Sequence, residues 1–170
     1  MIYHIFVREN RKKSNIMRRY ILLLVLLIPF VAHAQIPAIV SLGKEAAKHE
    51  GVEHDSVGSV MLAMAQTFAN KEQRATFKML NNIEMIVCKN LEYAPKLLNR
   101  AMSIVHSVGA TFIVSQDDGK AINDVYGLKR GDIVTELIIL VKSHKGEVAV
   151  VAMSGEIPTN RLQEIANLKQ

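Results

Sequence analysis

A chain of 170 residues that is 49% apolar carries enough material to bury a core, which sets it apart from disordered and fibrous classes. Its formal charge of +5 sits at the front. Arg8, Arg11, Lys12, Lys13, Arg18 and Arg19 precede residue 35 with Glu9 as their one acidic neighbour, leaving 15 basic and 15 acidic residues beyond it. A neutral remainder without a run of cations lacks the electrostatic footprint of a nucleic-acid binder, so no nucleic-acid partner is expected.

Arg18 and Arg19 form a basic n-region, Ile21 to Val31 an apolar h-region, and Ala32-His33-Ala34 a small-x-small cleavage site before Gln35. Residues 17–34 therefore read as a secretory signal peptide, with Met17 as the expected start and 1–16 as an over-long beginning. The apolar run is shorter than the ~20 residues a spanning helix needs, so no membrane span is expected after leader cleavage. Residues 35–170 are expected to form a single exported domain, placed in the periplasm. Cys88 is the sole cysteine, which excludes an internal disulfide. It ends an apolar run and reads as a small buried hydrophobe.

In the remainder, Ile39, Leu42 and Ala46 recur at helical spacing and predict a helix over 38–49 that Gly51 ends. Residues 52–58 read as a short edge strand. Ser59 then suits an N-cap for a helix whose Met61, Met64, Ala65 and Phe68 line a core-facing side. Residues 70–80 are polar and carry no clear period. Ile83 to Cys88 read as a strand, and a helix follows with Pro95 in its first turn, apolar Leu97, Leu98, Ala101, Ile104 and Val105, and Gly109 as its stop.

From residue 110 the period changes to strand runs: 110–114, 121–128, 133–141 and 148–153, separated by turns that each contain glycine. A four-residue loop at Ser143 to Gly146 would set Lys142 opposite Glu147, Leu140 opposite Ala149 and Ile138 opposite Val151. Both faces of that hairpin are apolar. The face with Leu137, Ile139, Val141, Val148, Val150 and Ala152 is expected to form the main core. A terminal helix with Leu162, Ile165 and Leu168 is expected after Pro158, capped by Thr159 or Asn160. The fold class is α+β, a mainly antiparallel sheet of four to six strands with three or four helices packed against it.

Gly51-Val52 before Met61-Leu62-Ala63-Met64, Asp118-Gly119 in a turn, Gly131 to Leu137 entering an apolar strand, and Ser154-Gly155 near the end are the residues that carry a resemblance. Over residues 45–168 the chain resembles a family of small exported proteins of Gram-negative Bacteroidota, catalogued as domain of unknown function 4252. That resemblance implies export to the envelope and an α+β fold, and it brings no catalytic residues with it.

Candidate chemistry is sparse. His49, Glu53, His54 and Asp55 gather imidazoles and carboxylates as a metal site would, but the H-E-x-x-H spacing is missed and Gly51 interrupts the helix. Ser154-Gly155 lacks the G-x-S-x-G elbow and reads as a strand end. Asp117-Asp118-Gly119 lacks the EF-hand pattern and reads as a turn. Glu136 interrupts an apolar run opposite Met153 in the expected register, and is the ligand candidate.

Two functions follow. The first is a non-enzymatic interaction domain that meets an envelope protein partner, or a second copy in a homodimer, through Val134, Ile138, Leu140, Ala149 and Val151. The alternative is a small-ligand or metal-binding domain, or a minor hydrolase, using Glu136 or the His49 to Asp55 cluster. Neither reading calls for a cofactor.

Overall fold

The computed structural model describes residues 35–162. The leader and the expected helical residues Ile165 and Leu168 lie outside the described residues. The elements run α1 (Gln35–Ala46), β1 (Val52–Gly58), α2 (Ser59–Phe68), α3 (Lys71–Met79), β2 (Leu80–Cys88), α4 (Ala94–Ser107), β3 (Thr111–Asp117), β4 (Ala121–Arg130), β5 (Ile133–Ser143) and β6 (Val148–Pro158). A single 3-10 turn, Thr159–Arg161, follows. The six strands form one antiparallel sheet in the order β1-β2-β6-β5-β4-β3, with four helices packed against it. The α+β fold expected from the strand and helix periods is the fold observed.

Side chains alternate across a strand, so the sheet has two faces, and each has its own apolar cluster. On one face α1 and α4 lie over the sheet. Ile39, Leu42 and Ala46 of α1 and Ala94, Leu97, Ala101 and Val105 of α4 are buried against Ile86, Cys88, Ile138, Leu140, Val148 and Val150. Their i, i+3, i+7 spacing is what lets a single stripe of each helix reach the sheet. Arg100 donates through both Nη atoms to the Glu45 carboxylate at 2.8 and 2.6 Å, joining the outer sides of the two helices.

On the opposite face α2 and α3 cover one end of the sheet, where Leu62, Leu80, Val125, Val134, Leu137, Met153 and Ile157 cluster with Val57, Phe77 and Ile83. The polar stretch that showed no period in the sequence is α3. Asn70 accepts from Gln73 N while Gln73 Oε1 accepts from Asn70 N, a capping box that starts the helix. Beyond the two helices this face is only half covered, and Met85 is exposed there.

Several expectations need correction. The β5–β6 pairing is shifted by one residue: Ser143 N donates to Glu147 O, so the loop has three residues and Lys142 faces Val148, Leu140 faces Val150 and Ile138 faces Ala152. A one-residue shift regroups every cross-strand pair by face. Val148, Val150 and Ala152 therefore share a face with Ile138 and Leu140 rather than with Leu137, Ile139 and Val141. Lys142 pairs instead with Asp124 of β4, at 2.6 Å.

Met61, Met64 and Phe68 do not line the core; Leu62 does. Gly58, not Ser59, is the N-cap of α2, and neither Thr159 nor Asn160 caps the last turn, whose N-cap is Pro158. Ser154 and Gly155 lie inside β6, at a bulge, rather than at a strand end.

Candidate functional site

Strand β1 decides the fate of the His49 to Asp55 cluster. Alternation sends His54 and Ser56 to the face under α1, and Glu53 and Asp55 to the other. His49 precedes the strand and stacks on Tyr93, ring centroids 3.9 Å apart. Glu53 pairs with Lys89 at 3.3 Å in solvent. The four residues are thus dispersed, and among the described residues no group of three or more His, Cys, Asp or Glu is placed to hold a metal ion.

What the strand pairing brings together instead is a polar knot around Glu84. This carboxylate is 2% exposed, in the middle of β2. Its Oε1 accepts from Ser56 Oγ at 2.5 Å and from Asn82 Nδ2 at 3.0 Å. Its Oε2 lies 3.0 Å from His54 Nε2, which donates when the imidazole carries its proton there. Buried charge is tolerated when its lone pairs are occupied in this way. The ring of His54 lies directly beneath Gly43 of α1, in the space a Cβ there would fill. Helix and strand approach closely because that position has no side chain.

Serine, histidine and carboxylate occur together here without forming a relay. A nucleophilic triad runs the serine proton to the imidazole and the imidazole to the acid. In this knot both Ser56 and His54 address the same carboxylate, so the histidine is not positioned as the base for the serine. The arrangement fastens β1 to β2 beneath α1. Glu84 escaped the sequence reading because its partners lie 28 and 30 residues away. The one available signal was an acid alone in the apolar run Ile83 to Cys88.

Glu136 occupies the same face, on β5. It stands opposite Ser154, not Met153, because the three-residue loop shifts the β5–β6 register by one residue, and that register runs unbroken from Lys142 to Glu136. Burial pushes its carboxyl up to about 7, against the opposing pull of Arg130. The unfolded chain gives up this proton near the ordinary value, the native one only near 7. Stability tied to the neutral form is therefore present below the unfolded value and lost as pH rises to about 7. Glu136→Gln is expected to stabilise the fold by about 1–2 kcal/mol at pH 8, after discounting for solvent screening of a half-buried group, and to change little at pH 4. Urea midpoints at the two pH values check this.

The interaction-surface residues expected together are divided by the true register. Ile138 and Leu140 are sealed beneath α1 and α4 at 3% and 0% exposure. Val134 is buried in the second cluster, brought to that face by a β5 bulge between Val134 and Glu136. Ala149 and Val151 lie on the same face as Val134 but in its uncovered part, beside Met85. Cys88 is fully buried, its Sγ set against Asn90 O at 3.3 Å, and burial pushes its thiol pKa up, the opposite of an activated nucleophile.

Of the nine large apolar side chains most exposed among the described residues, four lie on α2, while the other five are spread over β2, the loop before α4, β3 and β5. Val60 is 73% exposed, Met61 57%, Met64 62% and Phe68 91%. At 3.6 residues per turn these four fall within about 100° of arc, on the side away from buried Leu62. The sequence period identified this stripe but not its direction, since α2 is apolar on both sides.

No helix among the described residues is long and apolar enough to cross a membrane. Comparison with curated proteins and with solved structures found no match to the chain. One family model matches residues 46–165, from the end of α1 past the last 3-10 turn. The chain belongs to the family described as Domain of unknown function (DUF4252).

Proposed function

We propose that this domain is a non-enzymatic binding module of the cell envelope, and that its docking face is the outer side of α2. The observation that supports this reading is the stripe of Val60, Met61, Met64 and Phe68 in solvent. Exposed apolar residues scattered singly need no explanation, whereas four on one helix face form a contiguous patch of the kind that binding sites present. Methionine suits such a face, because its flexible thioether adapts to an irregular partner. Export rests on the leader at residues 17–34, with the periplasm as the proposed compartment.

The experiment is oxidation of methionines by dilute peroxide, compared between intact cells and purified protein and read by mass spectrometry. Met61 and Met64 are expected to oxidise several-fold more slowly in cells than in isolation. A second reading, small-ligand binding at Glu136, is favoured by the raised pKa of that half-buried carboxyl.

A further inference from the structure

We propose that the α2–α3 hairpin docks on an anionic lipid surface; this rests on the reading of α2 as the docking face and names what covers it. The second observation lies on α3. Lys71, Arg74 and Lys78 are all exposed and, at helical spacing, fall within about 60° of arc. Thr76, 4% exposed, lies on the opposite side of α3, and Phe77, about a quarter turn from the middle of the cationic arc, packs into the cluster beneath. Both helices bury one side against the same sheet face, through Leu62 and Phe77. Their other sides, apolar on α2 and cationic on α3, therefore both point away from the sheet.

Two residues, Ala69 and Asn70, join the helices, and Phe68 stands at that corner at 91% exposure. Across residues 59–79 the sequence has three cations and a single acid, Glu72, whereas the chain beyond residue 34 is neutral as a whole. An apolar stripe beside a cationic one is the arrangement by which interfacial helices lie in a membrane surface, with aromatic and aliphatic groups among the acyl chains and lysines at the headgroups. A protein partner would be served by the apolar stripe alone; the parallel cationic stripe is what favours lipid.

The test is sedimentation of the chain from Gln35 onward, which contains both apolar clusters, with two kinds of vesicle. One is phosphatidylcholine containing about one third phosphatidylglycerol, the other phosphatidylcholine alone. Partitioning is expected to be about tenfold stronger on the anionic vesicles and to weaken several-fold in 0.5 M salt, where the attraction of basic residues to anionic headgroups is screened. Phe68→Ser combined with Met64→Ser is expected to cost about tenfold, as is Lys71→Glu combined with Lys78→Glu. All four positions are exposed, so circular dichroism should show the parent fold in each variant.

Equal partitioning on both vesicles, or binding that survives the Phe68 and Met64 changes, overturns the proposal. No vesicle binding, with Met61 and Met64 still shielded in cells, overturns lipid as the occupant and leaves a protein or a second copy on the same face. Met61 and Met64 open in cells overturns the docking reading itself.

Discussion

Gly155→Ala is expected to destabilise the domain by about 3 kcal/mol or more, the largest effect of any single methyl group added to it. Gly155 is buried in β6, paired with Leu80, where a Cβ would overlap the carbonyl oxygen of Met79 and come within 2.9 Å of Leu80 Cα. The obstacle is backbone, so no rotamer change relieves it. Nor can β2 retreat, because α3 ends at Met79 and β2 begins at Leu80 with no residue between them. Displacing that junction would pull Phe77 and Leu80 out of the cluster they share with Leu62 and Met153. Denaturant melts of the variant and parent measure the loss directly. A difference under about 0.5 kcal/mol would mean that the junction is free to move.

Glu84→Ala is expected to cost about 3 kcal/mol or more, since each buried donor left unpaired costs about 1–3 kcal/mol. The substitution leaves the donors of Ser56, Asn82 and His54 without their shared acceptor beneath α1. Glu84→Gln keeps one carbonyl oxygen and should cost less, while Ser56→Ala, at the exposed rim, should cost least. That ordering distinguishes a fastening role from a catalytic one. A fastening carboxylate is judged by the stability it confers on the β1–β2 pair, and chemical denaturation of the three variants gives the ranking. Equal stability for Glu84→Ala and the parent would show that the knot contributes nothing to the fold.

Much of the architecture was legible because local patterns and tertiary packing agree in it. Leu97, Ala101 and Val105 recur at the helical period and are the residues that α4 buries. Ile133 to Val141, apolar on both sides, is a central strand, sealed under α1 and α4 on one face and partly covered on the other. Where the reading failed, the deciding interaction was long-range or a matter of a single residue. The β5–β6 register turned on whether Ser143 and Glu147 pair, and the answer regrouped Val148 and Val150 by face.

The candidate site was less legible for the same physical reason. His54 was visible as a histidine, but its partner Glu84 belongs to the neighbouring strand, and no spacing within β1 announces it. The direction of α2 was equally hidden. Leu62 and the stripe of Val60, Met61, Met64 and Phe68 satisfy the helical period from opposite sides, and only the packing of Val57, Phe77 and Ile83 around Leu62 settles which side is inside. Glu136 was legible as the charge interrupting β5, but its neighbour was not, since the one-residue register shift puts Ser154 rather than Met153 opposite it.

The central claim, that the outer side of α2 is covered where the protein works, is tested most directly by peroxide oxidation of methionines in intact cells. Met85, 40% exposed on the part of the same sheet face that α2 and α3 leave open, is the open reference, and Met153, 8% exposed, the buried one. In purified protein Met61 and Met64 should oxidise at least as fast as Met85. In cells they should slow several-fold towards Met153 while Met85 stays fast. Met61 and Met64 that oxidise in cells as fast as in the purified protein would contradict the claim.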